Sequence, residues 1–86
     1  AFALELARGR RVLDAACGEG YGAALLARTA ASVVGVDLSA EAVAHARARY
    51  ASPRLRFEQG DVLKLEGIAE ASIDLVVSFE TLEHLA

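Results

Sequence analysis

Short apolar runs alternate with longer stretches of helical spacing from one end of the chain to the other. Phe2 to Arg8 predicts a short amphipathic helix, closed by Gly9 in the position helices favour just past their end. Arg11 to Ala15 reads as the first strand, and Tyr21 to Thr29 as a helix with Leu25 and Leu26 facing inward. Ala31 to Asp37 carries Ser-Val-Val-Gly-Val, a β-branched run with the continuous apolarity of a buried parallel strand. Ser39 suits the N-cap of a helix running to Tyr50, with Glu41 in its first turn and Val43, Ala46 and Tyr50 along one face. Leu55 to Glu58 alternates Leu55 and Phe57 against Arg56 and Glu58, a third strand. Gly60-Asp61 turns the chain, and 62–72 is a weakly patterned crossover. Ile73 to Phe79 is the most apolar strand, and Glu80 to Leu85 begins another helix or loop.

Strand and helix alternate throughout, which predicts an α/β fold with a parallel sheet and right-handed crossovers, three layers deep (α/β/α). The first two crossovers run in one direction, so their helices share a face. The other face has only 62–72 to cover it, although Ile73 to Phe79 is apolar at nearly every position. Parallel sheets are normally buried on both sides. Together with a first residue other than methionine and a last one inside a helical pattern, this predicts an incomplete fragment of about four strands, within a single domain that continues past Ala86.

Composition narrows the class. The 86 residues are 55% hydrophobic with a formal net charge of -3. No basic run is present that could neutralise several phosphates, which argues against a nucleic-acid surface. The closest basic cluster, Arg8, Arg10 and Arg11, reads as a solvated helix end. A lone Cys17 excludes an internal disulfide and a cysteine metal cage, and fits a reducing cytoplasm. No apolar run approaches the roughly 20 residues needed to span a bilayer.

The candidate chemistry lies in Val12-Leu13-Asp14-Ala15-Ala16-Cys17-Gly18-Glu19-Gly20-Tyr21-Gly22, where a strand breaks into a glycine turn and then a helix. That order brings bare backbone against a nucleotide-like ligand. Gly18-x-Gly20-x-x-Ala23 fits the dinucleotide fingerprint, with Asp37 near the spacing of a ribose-binding acid, so the glycines alone leave a nicotinamide-dependent oxidoreductase open. The carboxylates discriminate. Asp14 facing a pyrophosphate would be repelled by about 4 kcal/mol at contact distance and an effective dielectric of 20. A sulfonium and an ammonium would instead be attracted. Asp37 at the tip of the second strand can accept both ribose hydroxyls, and Asp61 after the third can accept from an adenine amino group while Val62 donates its N–H. Three acids at three strand ends match a cationic, phosphate-free nucleoside.

Four segments, VLDAACGEGYG, VVGVDLS, FEQGDVLKL and IDLVVSFETLEHL, are similar in content and order to the motifs of class I S-adenosylmethionine-dependent methyltransferases. The resemblance runs from Val12 to about Leu85 and implies the N-terminal half of that Rossmann-like domain. It implies that Asp14 and the loop of Ala16, Cys17, Gly18 and Gly20 hold the methionine part, and that Asp37 holds the ribose with Leu38 against the adenine. Asp61 and Val62 would read the adenine edge, and Ser78 with Phe79 would lie under the methionine end. The family usually has glycine where this chain has Ala16, and alanine resists a positive φ.

Methyl transfer from a sulfonium needs alignment and exclusion of water more than a dedicated catalytic group, so no catalytic residue is assigned in this half. The acceptor, expected to be a small molecule, takes its contacts from later segments. Glu80, Glu83 and His84 would share one helical face, and Glu-x-x-Glu-His resembles the metal cluster of some small-RNA and quinone-pathway methyltransferases. A polar pocket rim or an acid-rich helix start explains the same three residues, and no metal is assigned. A non-catalytic cofactor-binding remnant stands as a further alternative.

Overall fold

The computed structural model describes residues 2–61 and 73–78. Four strands, β1 (Arg11–Ala15), β2 (Ser32–Asp37), β3 (Leu55–Gln59) and β4 (Leu75–Val77), form one sheet in the order β3-β2-β1-β4. All three pairings are parallel. The helices are α1 (Phe2–Ala7), α2 (Tyr21–Leu26) and α3 (Ala40–Tyr50).

The path β1-α2-β2-α3-β3 steps twice in one direction, and α2 and α3 pack on the same face of the sheet. The chain then returns to the far side of β1 for β4. That reversal makes the carboxyl end of β1 the switch point of the sheet, where open α/β folds hold their ligands.

Period-two alternation divides the core. Val12, Val33, Leu55 and Phe57 face the helices and are buried with Ala23, Leu26, Val43 and Ala46. Leu13, Val34 and Val36 form a second buried cluster on the opposite face, with Ile73 packed against it. The expected two-sided burial therefore holds for β1 and β2. At β4 it does not, since Val76 is 54% exposed. The expected crossover 62–72 lies outside the described residues, as do Val62, Phe79 and the segment of Glu80, Glu83 and His84.

The Ser39 hydroxyl caps α3 by accepting the Ala42 N–H at 3.1 Å, as its position predicts. Gly9 closes α1 with φ +70°. Two boundaries differ from expectation. The helix predicted to reach Thr29 ends at Leu26, because Arg28 and Thr29 bond three residues back (3.0 and 3.1 Å) and tighten the chain, while the Thr29 hydroxyl donates to the Leu4 carbonyl of α1 at 2.7 Å. The fourth strand is three residues long rather than Ile73 to Phe79, and Asp74 just before it turns its carboxylate to Arg11. The Arg11 backbone N–H donates to that carboxylate at 2.9 Å and the guanidinium at 3.0 Å through each of two nitrogens. Arg11 is thus the first residue of β1 in a two-point ion pair, not part of a solvated helix end.

Candidate functional site

All four strands point their carboxyl ends to one edge, so the loops after β1, β2 and β3 and Ser78 after β4 meet there. The loop after β1 is tight. Ala16, Gly18 and Gly20 take positive φ values of 56°, 57° and 95°, and the Gly20 N–H closes a turn on the Cys17 carbonyl at 3.1 Å. Ala16 is the one non-glycine residue with positive φ among those described. A Cβ in the left-handed region costs roughly 1–2 kcal/mol. The departure from glycine visible in the sequence therefore falls on a left-handed position.

Asp37, the last residue of β2, ties two loops together. One carboxylate oxygen accepts the Gly18 N–H at 2.8 Å, and the other accepts the Ser39 N–H at 2.9 Å. The Cys17 N–H continues the ladder onto the Val36 carbonyl at 2.8 Å, and the Gly60 N–H reaches the Asp37 carbonyl at 2.9 Å. Each carboxylate oxygen has a second lone pair, so the group keeps acceptor capacity in a fixed orientation.

Beside it opens a cleft of about 150 Å³ lined by Ala16, Val36, Asp37, Leu38, Gly60 and Asp61. Four residues singled out in the sequence, Ala16, Asp37, Leu38 and Asp61, are brought together here. The cleft has two carboxylates and an apolar wall, and no basic side chain among its described lining residues. Leu38 is 70% exposed, a large apolar side chain open at the rim. This donor and acceptor set suits a nucleoside without phosphate and offers no cation to a pyrophosphate.

Asp14, within β1, and Cys17, within the loop, are not among the residues lining this cleft. Asp14, in register with Gly35 and Val77, is 2% exposed and is the buried charged residue of the described core. Burial pushes the half-buried Cys17 thiol up to about 12, with the charges of Asp14 and Asp37 adding to the shift. Cys17 therefore stays a protonated thiol near neutral pH. Gly18 and Gly20 contribute loop backbone. Ser78 follows Val77, the β4 residue in register with Asp14.

Phe57 and Gly35 were not picked out from sequence, yet they support the loop. A Cβ on Gly35 would stand 2.7 Å from the Phe57 ring and 3.1 Å from the Cys17 Cβ, and one on Gly20 would stand 3.0 Å from the ring and 2.8 Å from the Ala46 Cβ. The ring of Phe57, 1% exposed, therefore fills a slot that only two glycines leave open. A glycine inside an apolar strand signals such close approach, but not which residue approaches.

The sequence profile of a family described as "Methyltransferase domain" matches residues 12–86. The chain belongs to this methyltransferase family. A probable S-adenosylmethionine-dependent methyltransferase of Mycolicibacterium smegmatis is 49% identical over 77 residues, covering 90% of this chain and 29% of that protein. A ubiquinone biosynthesis O-methyltransferase of Paracidovorax citrulli is 40% identical over 81 residues, covering 91% of this chain and 34% of that protein. The crystal structure of an S-adenosylmethionine-dependent methyltransferase from Mesorhizobium loti superposes with a TM-score of 0.74 at 32% identity, over 88% of this chain and 36% of that one. The chain thus spans about a third of the length of these relatives. Its parallel sheet and helices are those of the Rossmann-like methyltransferase fold.

Proposed function

We propose that residues 1–86 are the cofactor-holding half of a single domain that transfers a methyl group from S-adenosylmethionine to a small-molecule acceptor. The observation that carries this reading is the Asp37 carboxylate, fixed by the Gly18 and Ser39 N–H groups at the edge of a cleft with no basic side chain among its described lining residues. S-adenosylmethionine, when bound, supplies a methyl group already activated by a sulfonium.

The chain's part is to hold and orient. The second lone pairs of Asp37 accept the ribose hydroxyls, and Leu38 covers the adenine. Asp61 with Val62 reads the adenine edge. The backbone of Ala16, Cys17, Gly18 and Gly20, with the buried charge of Asp14 below it, receives the cationic methionine part, and Ser78 lies at its end. Fixing these groups before the acceptor arrives removes orientational freedom that the uncatalysed reaction must lose. Small-molecule chemistry draws support from the name of the Paracidovorax citrulli relative. A cytoplasmic setting is supported by the free thiol of Cys17, the state a reducing compartment maintains. Among the described residues no helix is long and apolar enough to cross a membrane.

The test is calorimetric titration of the full chain with S-adenosylmethionine, adenosine and NADH. Binding of the first two and none of the third is expected. Asp37→Ala weakens S-adenosylmethionine and adenosine alike by at least tenfold, about 1.4 kcal/mol. Unchanged affinity removes the ribose assignment, and preference for NADH returns the dinucleotide reading.

A further inference from the structure

At the opposite edge of the sheet, where the strands begin, a recess of about 200 Å³ has no part in the cofactor reading. It is lined by Arg11, Ser32, Val33, Val34, Pro53, Arg54, Leu55, Arg56 and Ile73, of which Arg54, Arg56 and Ser32 carry the argument. Register explains how they meet. Arg11 pairs with Ser32, Val34 with Arg56, and the Val33 N–H donates to the Arg54 carbonyl at 2.7 Å. Alternation then places Ser32, Val34, Arg54 and Arg56 on the sheet face away from the helices.

The arginines of this chain differ in what they hold. Arg8 pairs with Glu5, Arg11 with Asp74, and Arg47 donates twice to the Phe57 carbonyl and lies 3.9 Å from Glu58. Among the described residues the guanidinium groups of Arg54 and Arg56, like those of Arg10, Arg28 and Arg49, make no ion pair or hydrogen bond, and the Ser32 hydroxyl makes none. Among the described residues, Asp74 is the acid at the strand-start edge, and it is already engaged at two points by Arg11. Two like charges two residues apart, about 7 Å along a strand, thus share a recess with no acid among its described lining residues, in a chain whose net charge is -3. Val34 and Pro53 give the recess an apolar wall, which strengthens any charge interaction made against it.

Planar guanidinium forks match tetrahedral oxyanions, and the serine hydroxyl adds a donor. Drug-sized ligands occupy roughly 300–1,000 Å³, so the volume suits a single phosphoryl group with a small substituent rather than a whole nucleotide. We infer that Arg54, Arg56 and Ser32 form a second ligand site, separate from the cofactor cleft, that binds the phosphoryl group of a small molecule.

The experiment titrates the full chain with inorganic phosphate and with glycerol 3-phosphate by calorimetry at low salt, beside a 20-nucleotide single-stranded RNA. Saturable binding of either small probe with a dissociation constant in the low millimolar range or below is expected. The paired change Arg54→Gln with Arg56→Gln weakens it at least tenfold and leaves S-adenosylmethionine affinity unaltered. Arg54→Lys with Arg56→Lys keeps the charge but not the forks, and weakens it severalfold. No saturation by 20 mM of either probe, or equal binding by the glutamine variant, overturns the inference. RNA bound a hundredfold more tightly than phosphate, and lost in the same variant, reassigns the recess to a nucleic-acid backbone and equally overturns it.

Discussion

Ala16→Gly tests the reading of the loop at its most strained point. Ala16 has φ +56° and is exposed at the cleft, so removing its methyl group takes away no core packing. The left-handed conformation costs an alanine roughly 1–2 kcal/mol relative to glycine. Glycine in turn loses more freedom on folding, by about 0.4–1 kcal/mol. The difference leaves a net stabilisation of about 0.5–1 kcal/mol, among the few substitutions in this chain expected to raise stability. Urea unfolding of the full chain, followed by circular dichroism, resolves a change of that size as a shift of the midpoint at constant slope. Ala16→Asn serves as a control, since asparagine tolerates the left-handed region and gains part of the same amount. Ala16→Val adds a β-branched side chain there and loses more than 1 kcal/mol. If glycine destabilises by more than about 0.5 kcal/mol while valine is neutral, Ala16 is not left-handed and the loop geometry is wrong.

Gly35→Ala drives a methyl group to 2.7 Å from the Phe57 ring and costs about 1–3 kcal/mol of stability; adding Phe57→Leu recovers part of this, and strictly additive losses in a double-mutant cycle would refute the contact. Cys17 reacts with iodoacetamide at pH 8 at least tenfold more slowly than a model thiol, since a thiol held at about 12 loses some three decades of thiolate and regains about half of that in nucleophilicity. Peptide mapping of the alkylated protein reads this out, and labelling at the model rate contradicts the burial argument. The Arg11 guanidinium and N–H bond the Asp74 carboxylate and hold it down to about 2, below its unfolded value near 4. Its contribution is therefore complete above about pH 4 and lost as pH falls through about 2. The stability difference between the natural chain and Asp74→Asn shrinks over that window, and a constant difference down to pH 1.5 speaks against the pair.

Much of this architecture was legible because local and tertiary demands agree. In β2 the apolar run suits a strand buried on both faces, and Ser39 caps the helix its position announces. Two of the three acids were legible for the same reason, since β2 and β3 are parallel and bring Asp37 and Asp61 to one edge beside Ala16, whereas Asp14 is buried within β1. Where the reading fell short, a side chain distant in sequence decided the outcome. Thr29 is drawn from α2 by the Leu4 carbonyl, and Asp74 is spent on Arg11 sixty-three residues away. The second role of Asp37, as a strut between two loops, needs the Gly18 and Ser39 N–H groups to be placed first. Arg56 looked like ordinary alternation in an amphipathic strand, and only the row it shares with Ser32 and Val34 gives it neighbours to act with.

The slot around Phe57 has a consequence for how this domain can be altered. The ring fits into what is missing at Gly20 and Gly35, so these three positions are coupled through packing. A library that varies them singly meets a clash or a void at every step and reports each as immutable. Varied jointly, with a smaller residue at 57 admitting side chains at 35 while Gly20 is kept for its φ of +95°, positions 35 and 57 become a dial for the height of the loop above the sheet. Retuning the ligand edge of this fold would then begin beneath the loop, on a strand that none of the loop's own residues belong to.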